Sequence, residues 1–243
     1  MSNLYPTTGT TAFNLDLSEI VEEAYERAGT EVRSGYDVRS ARRSLNLLML
    51  EWANMGINMW LFDEQAITLV AGTATYSLPN DTIDLLDHVV RINVGTLNQN
   101  DIIISRISNS VYAAIPNKLS QGRPIQVLVR RNSGASNAAG SAYAVPTITV
   151  WPVPDNSTVY TFNYWRLRRV QDVGNGPNGQ DVPFRFLPAM IAGLAYYTAM
   201  KTPGQEQRAV ALKTVYEQVL ENAREEDREK APVRFVPRSP WMN

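Results

Sequence analysis

Two segments near the start of the chain repeat apolar residues every three or four positions, the spacing of a helix that buries one face. In the first, Asp16 and Glu19 have the spacing of a capping box, and Gly29 supplies a natural end. The second begins near Ser34 and ends at Gly56. Its apolar positions form a seam for packing against another helix: Val38, Ala41, Leu45, Leu48, Trp52 and Met55.

Two further helices are predicted in the last quarter of the chain. Pro188 suits the first turn of a helix that continues to Met200 and is apolar on every side, which indicates a buried central helix. A turn at 202–204 leads into a long final helix, Gln205–Lys230, ended by Pro232 because proline disfavours helical geometry in the residue before it. The predicted apolar stripe of this helix is Leu212, Val215, Tyr216, Val219 and Ala223.

From Ile57 to Gln180 the pattern changes to short runs of strand-forming residues separated by turn residues. Residues 66–70 and 74–79 predict a hairpin closed by a glycine turn. The small polar residues of 132–144 predict a mobile hairpin tip. Five further strands are predicted: His88–Val94, Asp101–Ser105, Ile125–Arg130, Pro146–Trp151 and Thr158–Leu167.

This order of elements predicts an α+β fold. Two N-terminal and two C-terminal helices would form an antiparallel helical bundle, residues 16–56 with 183–230, and an antiparallel β module, residues 57–182, would be inserted between them. Residues 1–15 would be a lead-in, and residues 231–243 an extended tail.

Composition limits the classes of protein to which this chain can belong. An apolar fraction of 44% and a charged fraction of 19% are ordinary for a folded chain. The formal charge of -1 gives no global field to attract nucleic acid or an anionic membrane. The lack of cysteine removes disulfides and zinc-thiolate sites. With no visible secretory signal and no apolar run long enough for a bilayer, we expect a soluble intracellular or particle-borne protein without a membrane partner.

The sequence predicts no catalytic residue, no cofactor and no metal site. His88 is the only histidine, and its apolar surroundings favour a structural role. Residues 174–179 match G-x-G-x-x-G, but Pro177 lies inside the match and no helix follows at once, so a polar loop is favoured. Three carboxylates suit the turn before a strand and specify no metal: Asp81, Asp84 and Asp87.

Two segments combine aromatic and basic side chains. Residues 164–169 have the composition both of nucleic-acid-binding strands and of protein interfaces, and the near-neutral chain favours an interface. In the tail, three prolines exclude a helix interior and a central strand. We favour a docking peptide ordered by a partner, anchored by Phe235 and Trp241, over a strap on the chain's own core.

Four segments in the same order resemble the head-to-tail adaptor proteins of short-tailed bacteriophages, often called tail tubular protein A. They are Asp37–Gly56, the predicted hairpin Ile67–Pro79, the strand Ile148–Pro154 and the helix entry Phe186–Gly193. The resemblance extends from about Leu17 to Lys230. It rests on the ordered series, since no single motif is diagnostic.

The resemblance implies a structural protein of the virion, made in the host bacterial cytoplasm and located at the head-tail junction. A dodecameric ring of this chain would lie beneath the portal protein, receive the tail nozzle or tube protein, and conduct genomic DNA through its lumen without sequence recognition. The C-terminal helix and tail would reach the portal. The predicted portal-binding residues are Arg234, Phe235, Val236, Pro237, Arg238 and Trp241.

A ring needs heterologous contacts, in which one face of a subunit meets a different face of the next. The basic side of the second helix and the charged end of the last helix are the candidates for these contacts. The predicted subunit-interface residues are Arg39, Arg42, Arg43, Arg224 and Arg228. Loops of the β module, including 132–144, would face the tail or a neighbouring subunit.

Three alternatives remain open at the level of sequence. The chain could be another neck or tail ring component. It could carry a peptidoglycan hydrolase, which needs two carboxylates at glycosidase spacing. It could also be a plain nucleic-acid-binding domain, which would show steep salt-dependent retention on DNA.

Overall fold

The structure is a computed structural model that describes residues 15–132, 145–175 and 177–228. Within these residues the fold is mixed α+β, with five helices and two four-stranded sheets. The helices are α1 (Leu17–Ala28), α2 (Gly35–Asn54), α3 (Asn109–Ala114), α4 (Leu187–Lys201) and α5 (Glu206–Glu226). The strands are β1 (Phe62–Thr68), β2 (Thr75–Ser77), β3 (Thr82–Ile92), β4 (Asn100–Ile103), β5 (Ser105–Ile107), β6 (Gln126–Arg130), β7 (Thr147–Trp151) and β8 (Tyr160–Arg168).

The chain divides into two compact units. The helical unit contains the described residues up to Met59 and those from Asp172 onward, and therefore holds α1, α2, α4 and α5. The β unit is the continuous segment Trp60–Gln171 and contains every described strand.

Local sequence signals set the starts of the first two helices as predicted. Asp16 accepts a hydrogen bond from the Glu19 backbone N–H at 2.9 Å, and the Glu19 carboxylate accepts one from the Asp16 backbone N–H at 3.0 Å. Ser34 and Asp37 form the same capping box at the start of α2. Gly29 ends α1 in the left-handed conformation, with φ of 74°. The capping predictions are confirmed.

The apolar helix α4 packs against α1, α2 and α5. A β-carbon at Gly193 would lie 2.8 Å from a methyl carbon of Leu48 on α2 and 3.0 Å from the ring of Tyr216 on α5. The absence of a side chain at this one position therefore lets α2 and α5 approach α4 closely. Burial on nearly every side of α4 follows from its three neighbours, as the sequence predicted.

Some residues assigned to the apolar stripes of α2 and α5 are exposed, so these assignments were wrong. Val38 and Met55 at the ends of α2 are 38% and 44% exposed, and Val215 on α5 is 45% exposed. The rotation of α5 is instead set by Tyr216, whose hydroxyl accepts a hydrogen bond of 2.9 Å from the indole N–H of Trp52 on α2. The residues that α5 buries are Ala209, Tyr216, Leu220 and Ala223.

The final helix ends at Glu226, earlier than the predicted Lys230. Asp227 leaves helical geometry and its carboxylate forms an ion pair with Arg185, close to the start of α4. The side chain of Asp227 is only 5% exposed, so this long-range contact fixes the end of the helix. Arg185 is distant in sequence from Asp227, so the charged run 224–230 does not by itself indicate this ion pair.

Each sheet of the β unit takes strands from both ends of its sequence. One sheet has the order β1-β8-β3-β4, and the other has the order β2-β7-β6-β5. A shared apolar cluster includes Val90 and Phe162 of the first sheet and Val127, Ile148 and Val150 of the second. Burial of these residues holds the β unit together.

The predicted hairpin of residues 66–79 was wrong, since its two strands lie in different sheets. β1 pairs with β8, whereas β2 pairs with β7. The intervening segment is a loop in which the Tyr76 hydroxyl accepts from the Val70 backbone N–H at 2.8 Å and donates to the Thr73 carbonyl at 2.8 Å. Gly72, with φ of 78°, allows the chain to cross between the sheets.

The β module is not purely antiparallel, which corrects the predicted arrangement. β5 and β6 pair in parallel, with Ser105 opposite Gln126. A parallel pair needs a crossover connection, and the segment that contains α3 supplies it. All other pairs of named strands are antiparallel within the described residues.

Candidate functional site

The six predicted portal-binding residues lie outside the described residues: Arg234, Phe235, Val236, Pro237, Arg238 and Trp241. So do residues 133–144 of the predicted hairpin tip. Several surface depressions lie on the described residues of the helical unit, among them the following three.

The first surface contains the predicted arginines of α2. Arg39, Arg42 and Arg43 line a depression of about 540 Å³ together with Tyr36 and Asn46. A long-range hydrogen bond and ion pair hold Arg42 within its own unit, because its guanidinium donates to the Asn175 side chain at 3.2 Å and lies 3.7 Å from the Asp172 carboxylate. Arg39 and Arg43 are exposed, and neither forms an ion pair with any described residue.

The outer face of α2 adds apolar area to these charges. Tyr36, Leu47 and Leu50 are 61%, 62% and 56% exposed, and helical periodicity places them on the same side as Arg39 and Arg43. These five residues are called the α2 outer stripe below. Lys201 of α4 lines a depression together with Tyr36, Arg43 and Leu47, so a further cation lies near this stripe. Burial, followed by the charge of Arg43, lowers the pKa of Lys201.

The second surface lies at the end of α5 and contains the other two predicted arginines. Arg224 and Arg228 line a depression of about 220 Å³ with Met55 and Met59. Arg224 already forms an ion pair of 3.1 Å with Glu221 on the same helix. The five predicted subunit-interface arginines thus fall on two separate surfaces of the helical unit.

The third surface was missed by the sequence analysis. Four glutamates on the outward side of α1 border a groove of about 670 Å³, and apolar residues around the start of α4 line it. It is called the acidic groove below. Its glutamates are Glu19, Glu22, Glu23 and Glu26, and its apolar residues include Phe184, Leu187, Pro188 and Ile191.

Ion pairs compensate only part of the charge in the acidic groove, because the two arginines that also line it, Arg27 and Arg185, pair with Glu23 and Asp227. Glu23 forms an ion pair of 2.7 Å with Arg27, and Glu19 serves in the capping box of α1. Glu22 and Glu26 have no ion pair among the described residues. Phe184 beside them is 69% exposed, although it is a large apolar residue. The glutamate spacing was visible in the sequence, but the apolar half of the groove comes from a segment far along the chain.

Two residues of the segment 164–169, whose composition favoured an interface, are buried in the β unit. Tyr164 and Arg166 are 1% and 6% exposed. The guanidinium of Arg166 lies 3.0 Å from the Asp63 carboxylate and 2.5 Å from the Asp81 carboxylate. The charge of Arg166 is therefore compensated inside the β unit. Burial raises the pKa of the Tyr164 hydroxyl.

The only histidine lies in β3 and is buried. Its ring stacks on Phe162 with 5.9 Å between ring centroids, and burial lowers the pKa of His88. A neutral imidazole packed in a sheet supports the predicted structural role. Asp84 and Asp87 also lie within β3 rather than in the predicted turn, and Asp84 forms ion pairs with Arg106 and Arg131 at 2.8 and 3.2 Å.

The described residues also bear on metal binding and on insertion into a membrane. No cluster of three or more His, Asp or Glu side chains in this part of the chain could hold a metal ion. None of the described helices is both long and apolar enough to cross a membrane.

A model of the SU10 adaptor protein family matches residues 15–237, which is well over half of the chain. No curated protein matches the chain.

Proposed function

The chain belongs to the SU10 adaptor protein family, a family of phage structural adaptors, and from this premise we propose that it is a head-to-tail adaptor of a short-tailed bacteriophage. Copies of the chain form a ring, dodecameric by resemblance, between the portal and the nozzle or tube of the tail. Genomic DNA passes through the lumen of this ring, and the protein acts by binding rather than by catalysis.

The observation that carries the proposal is the α2 outer stripe. Three large apolar side chains and two arginines without ion pairs share one exposed helix face, and aromatic residues and arginine are enriched at protein interfaces. Leu47 and Leu50 lie one turn apart on this face, and exposed apolar residues that adjoin each other favour an interaction site. A structural adaptor needs such surfaces because every subunit contacts neighbours.

Attachment to the portal is assigned to residues 231–243. This tail follows α5 and contains Phe235 and Trp241 as apolar anchors, with Arg234 and Arg238 as polar clamps. Extended, it spans at most about 45 Å. In a ring many such tails bind at once, so the avidity of the assembly exceeds the affinity of one peptide.

The test is binding of the purified chain to the portal protein of its own phage, measured by native mass spectrometry and negative-stain imaging. We expect deletion of residues 232–243 to abolish attachment while leaving the far-UV circular dichroism spectrum and melting temperature unchanged. A finer variant, Phe235→Ser with Trp241→Ser, should weaken attachment by at least about tenfold, because buried aromatic anchors dominate interfaces.

Val210→Ser is the matched control, since Val210 is 69% exposed on α5 and lies outside the tail. It should bind the portal normally. Normal binding by the truncated chain would refute the docking role of the tail. Binding to tail proteins but not to the portal would instead assign the chain to another neck or tail ring component.

A further inference from the structure

Two surfaces of the helical unit complement each other in charge and in apolar character. The α2 outer stripe carries Arg39 and Arg43, and the acidic groove carries Glu22 and Glu26, all four without an ion pair in the described structure. We propose that the α2 outer stripe of one copy binds in the acidic groove of the next copy. This inference rests on the proposed function, because it assigns the contact between subunits of the ring.

Apolar contact supplies the area of this interface. Leu47 and Leu50 project from the stripe with more than half of their surface exposed. In the groove, Phe184 and Pro188 are exposed, and Leu187 and Ile191, each 5% exposed, complete the apolar lining. Bringing the two together removes apolar surface from water on both sides, which stabilises association.

Opposite charges supply the specificity. Arg39 and Arg43 meet glutamates that lack a cation of their own, and complementary charge speeds association and disfavours wrong registers. Two stripes facing each other would oppose arginine to arginine, and two grooves would oppose glutamate to glutamate. A symmetric, isologous dimer through either surface is therefore disfavoured.

The two surfaces have no residue in common, since one lies on α2 and the other on α1 and the start of α4. One copy can therefore use both at the same time, and each new copy again offers a free stripe and a free groove. Repetition of such a heterologous contact produces a ring when the rotation closes. The occupant assigned to the acidic groove is thus a second copy of this chain.

The first test uses disulfide formation, because the chain has no cysteine of its own. The full-length chain with both Leu47→Cys and Pro188→Cys, treated with a copper-phenanthroline oxidant, should give a ladder of disulfide-linked multimers. A mixture of the two single variants should give dimers and no larger species. Each single variant alone should stay monomeric on a non-reducing gel.

The second test reverses the charges. Arg39→Glu with Arg43→Glu should weaken self-association at least about tenfold, and so should Glu22→Lys with Glu26→Lys. Combining all four substitutions in one chain, or mixing the two double variants, should restore association, because each reversed surface then meets a reversed partner. Sedimentation velocity of the full chain, alone and on the portal, measures the effect.

A matched control is Arg123→Glu with Lys213→Glu, which makes the same change in net charge as the double arginine variant at exposed sites outside both surfaces. It should assemble like the wild type. Circular dichroism and melting curves identify any variant that fails to fold, and restoration by the four-residue variant does not depend on the double variants being fully stable.

The outcomes separate the inference from the proposed function. Dimers from Leu47→Cys alone would indicate an isologous contact and overturn the inference, as would a Pro188→Cys link to Phe235→Cys, which would place the tail in the groove. Assembly unaffected by the charge reversals would overturn the inference and leave the adaptor function standing. A wild-type chain that remains monomeric even on the portal would overturn both.

Discussion

Arg166 lies in β8 and is 6% exposed, with the carboxylates of Asp63 and Asp81 on its guanidinium. Arg166→Met would keep the apolar stem but leave both carboxylates without their cation. Breaking a buried pair costs about 3–5 kcal/mol, and the partial exposure of both aspartates here reduces the expected loss to about 2 kcal/mol. Urea denaturation of the full chain measures this loss of unfolding free energy.

Arg123→Met provides the comparison for this prediction, because Arg123 is exposed in the same unit. The unfolding free energy of Arg123→Met should differ from that of the wild type by less than about 0.5 kcal/mol. Equal stability of the two variants would mean that the ion pairs of Arg166 contribute nothing to the fold.

His88 gives a prediction about pH. Burial lowers the pKa of His88 below the value of about 6.5 expected in the unfolded chain. The unfolded chain therefore binds more protons than the folded chain between the two pKa values, and the stability contributed by neutral His88 is present above about pH 6.5 and lost as pH falls below it.

Replacing this side chain should remove that dependence. We expect His88→Leu to gain stability relative to the wild type as pH falls from 8 to 5, with a slope of up to about 1.4 kcal/mol per pH unit. His88 is the only histidine, so few other groups titrate in this window. Chemical denaturation at several pH values measures it, and parallel pH profiles would contradict a lowered pKa.

At the scale of elements, the packing of α4 depends on Gly193. Gly193→Ala gains about 1 kcal/mol of helix propensity, but its methyl group would lie too close to Leu48 and Tyr216. Overpacking costs about 1–3 kcal/mol, so we expect a net loss of about 1 kcal/mol of unfolding free energy. Thermal and urea denaturation measure this loss.

The control is Gly35→Ala, since Gly35 lies at the start of α2 with no atom within 4 Å of an added β-carbon. It should be neutral or stabilise by up to about 1 kcal/mol. Leu48→Ala should cost less in the Gly193→Ala background than in the wild type, because the shortened side chain makes room for the methyl group. If the losses of unfolding free energy from Leu48→Ala and Gly193→Ala simply add, residues 193 and 48 are not in close contact.

The elements also show which local signals were sufficient. The capping boxes of α1 and α2 connect residues three positions apart, so their partners are adjacent in any helix. The hairpin prediction failed because alternation identifies a strand but not its partner, and β1 and β2 each pair with a strand much later in the chain. The predicted end of α5 was wrong for the same reason, since Arg185 is distant in sequence from Asp227.

At the scale of the whole molecule, the β unit is one continuous segment whose ends lie side by side. Phe62 at the start of β1 is paired with Leu167 near the end of β8. A unit with its own apolar core and adjacent ends can fold alone. We therefore expect the fragment 60–171 to give a β-type circular dichroism spectrum and a cooperative thermal transition.

The same fragment with Phe162→Ala is the comparison, because Phe162 is fully buried in the shared apolar cluster. Loss of this side chain should lower the unfolding free energy by about 3–5 kcal/mol, and so abolish the thermal transition or lower its midpoint temperature. A fragment that is unfolded without substitution would show that the β unit depends on the rest of the chain.

The sequence alone determined what depends on neighbours along the chain. Helix caps, the fully apolar α4, the strand content and the arginines of α2 were all visible, because each arises from residues a few positions apart. The ordered series of segments also pointed to the adaptor family, which the family match supports at the level of a phage structural adaptor.

Only the tertiary structure decided which side of each element is buried and which residues meet across long separations. Arg166 had the composition of an interface residue, but Asp63 of β1 and Asp81 in the turn before β3 neutralise it. Leu47 and Leu50 became a candidate surface once α4 had set the buried side of α2, and the acidic groove exists because Phe184 and its neighbours lie beside α1. Burial and charge compensation depend on partners brought together by folding, and a linear pattern does not specify those partners.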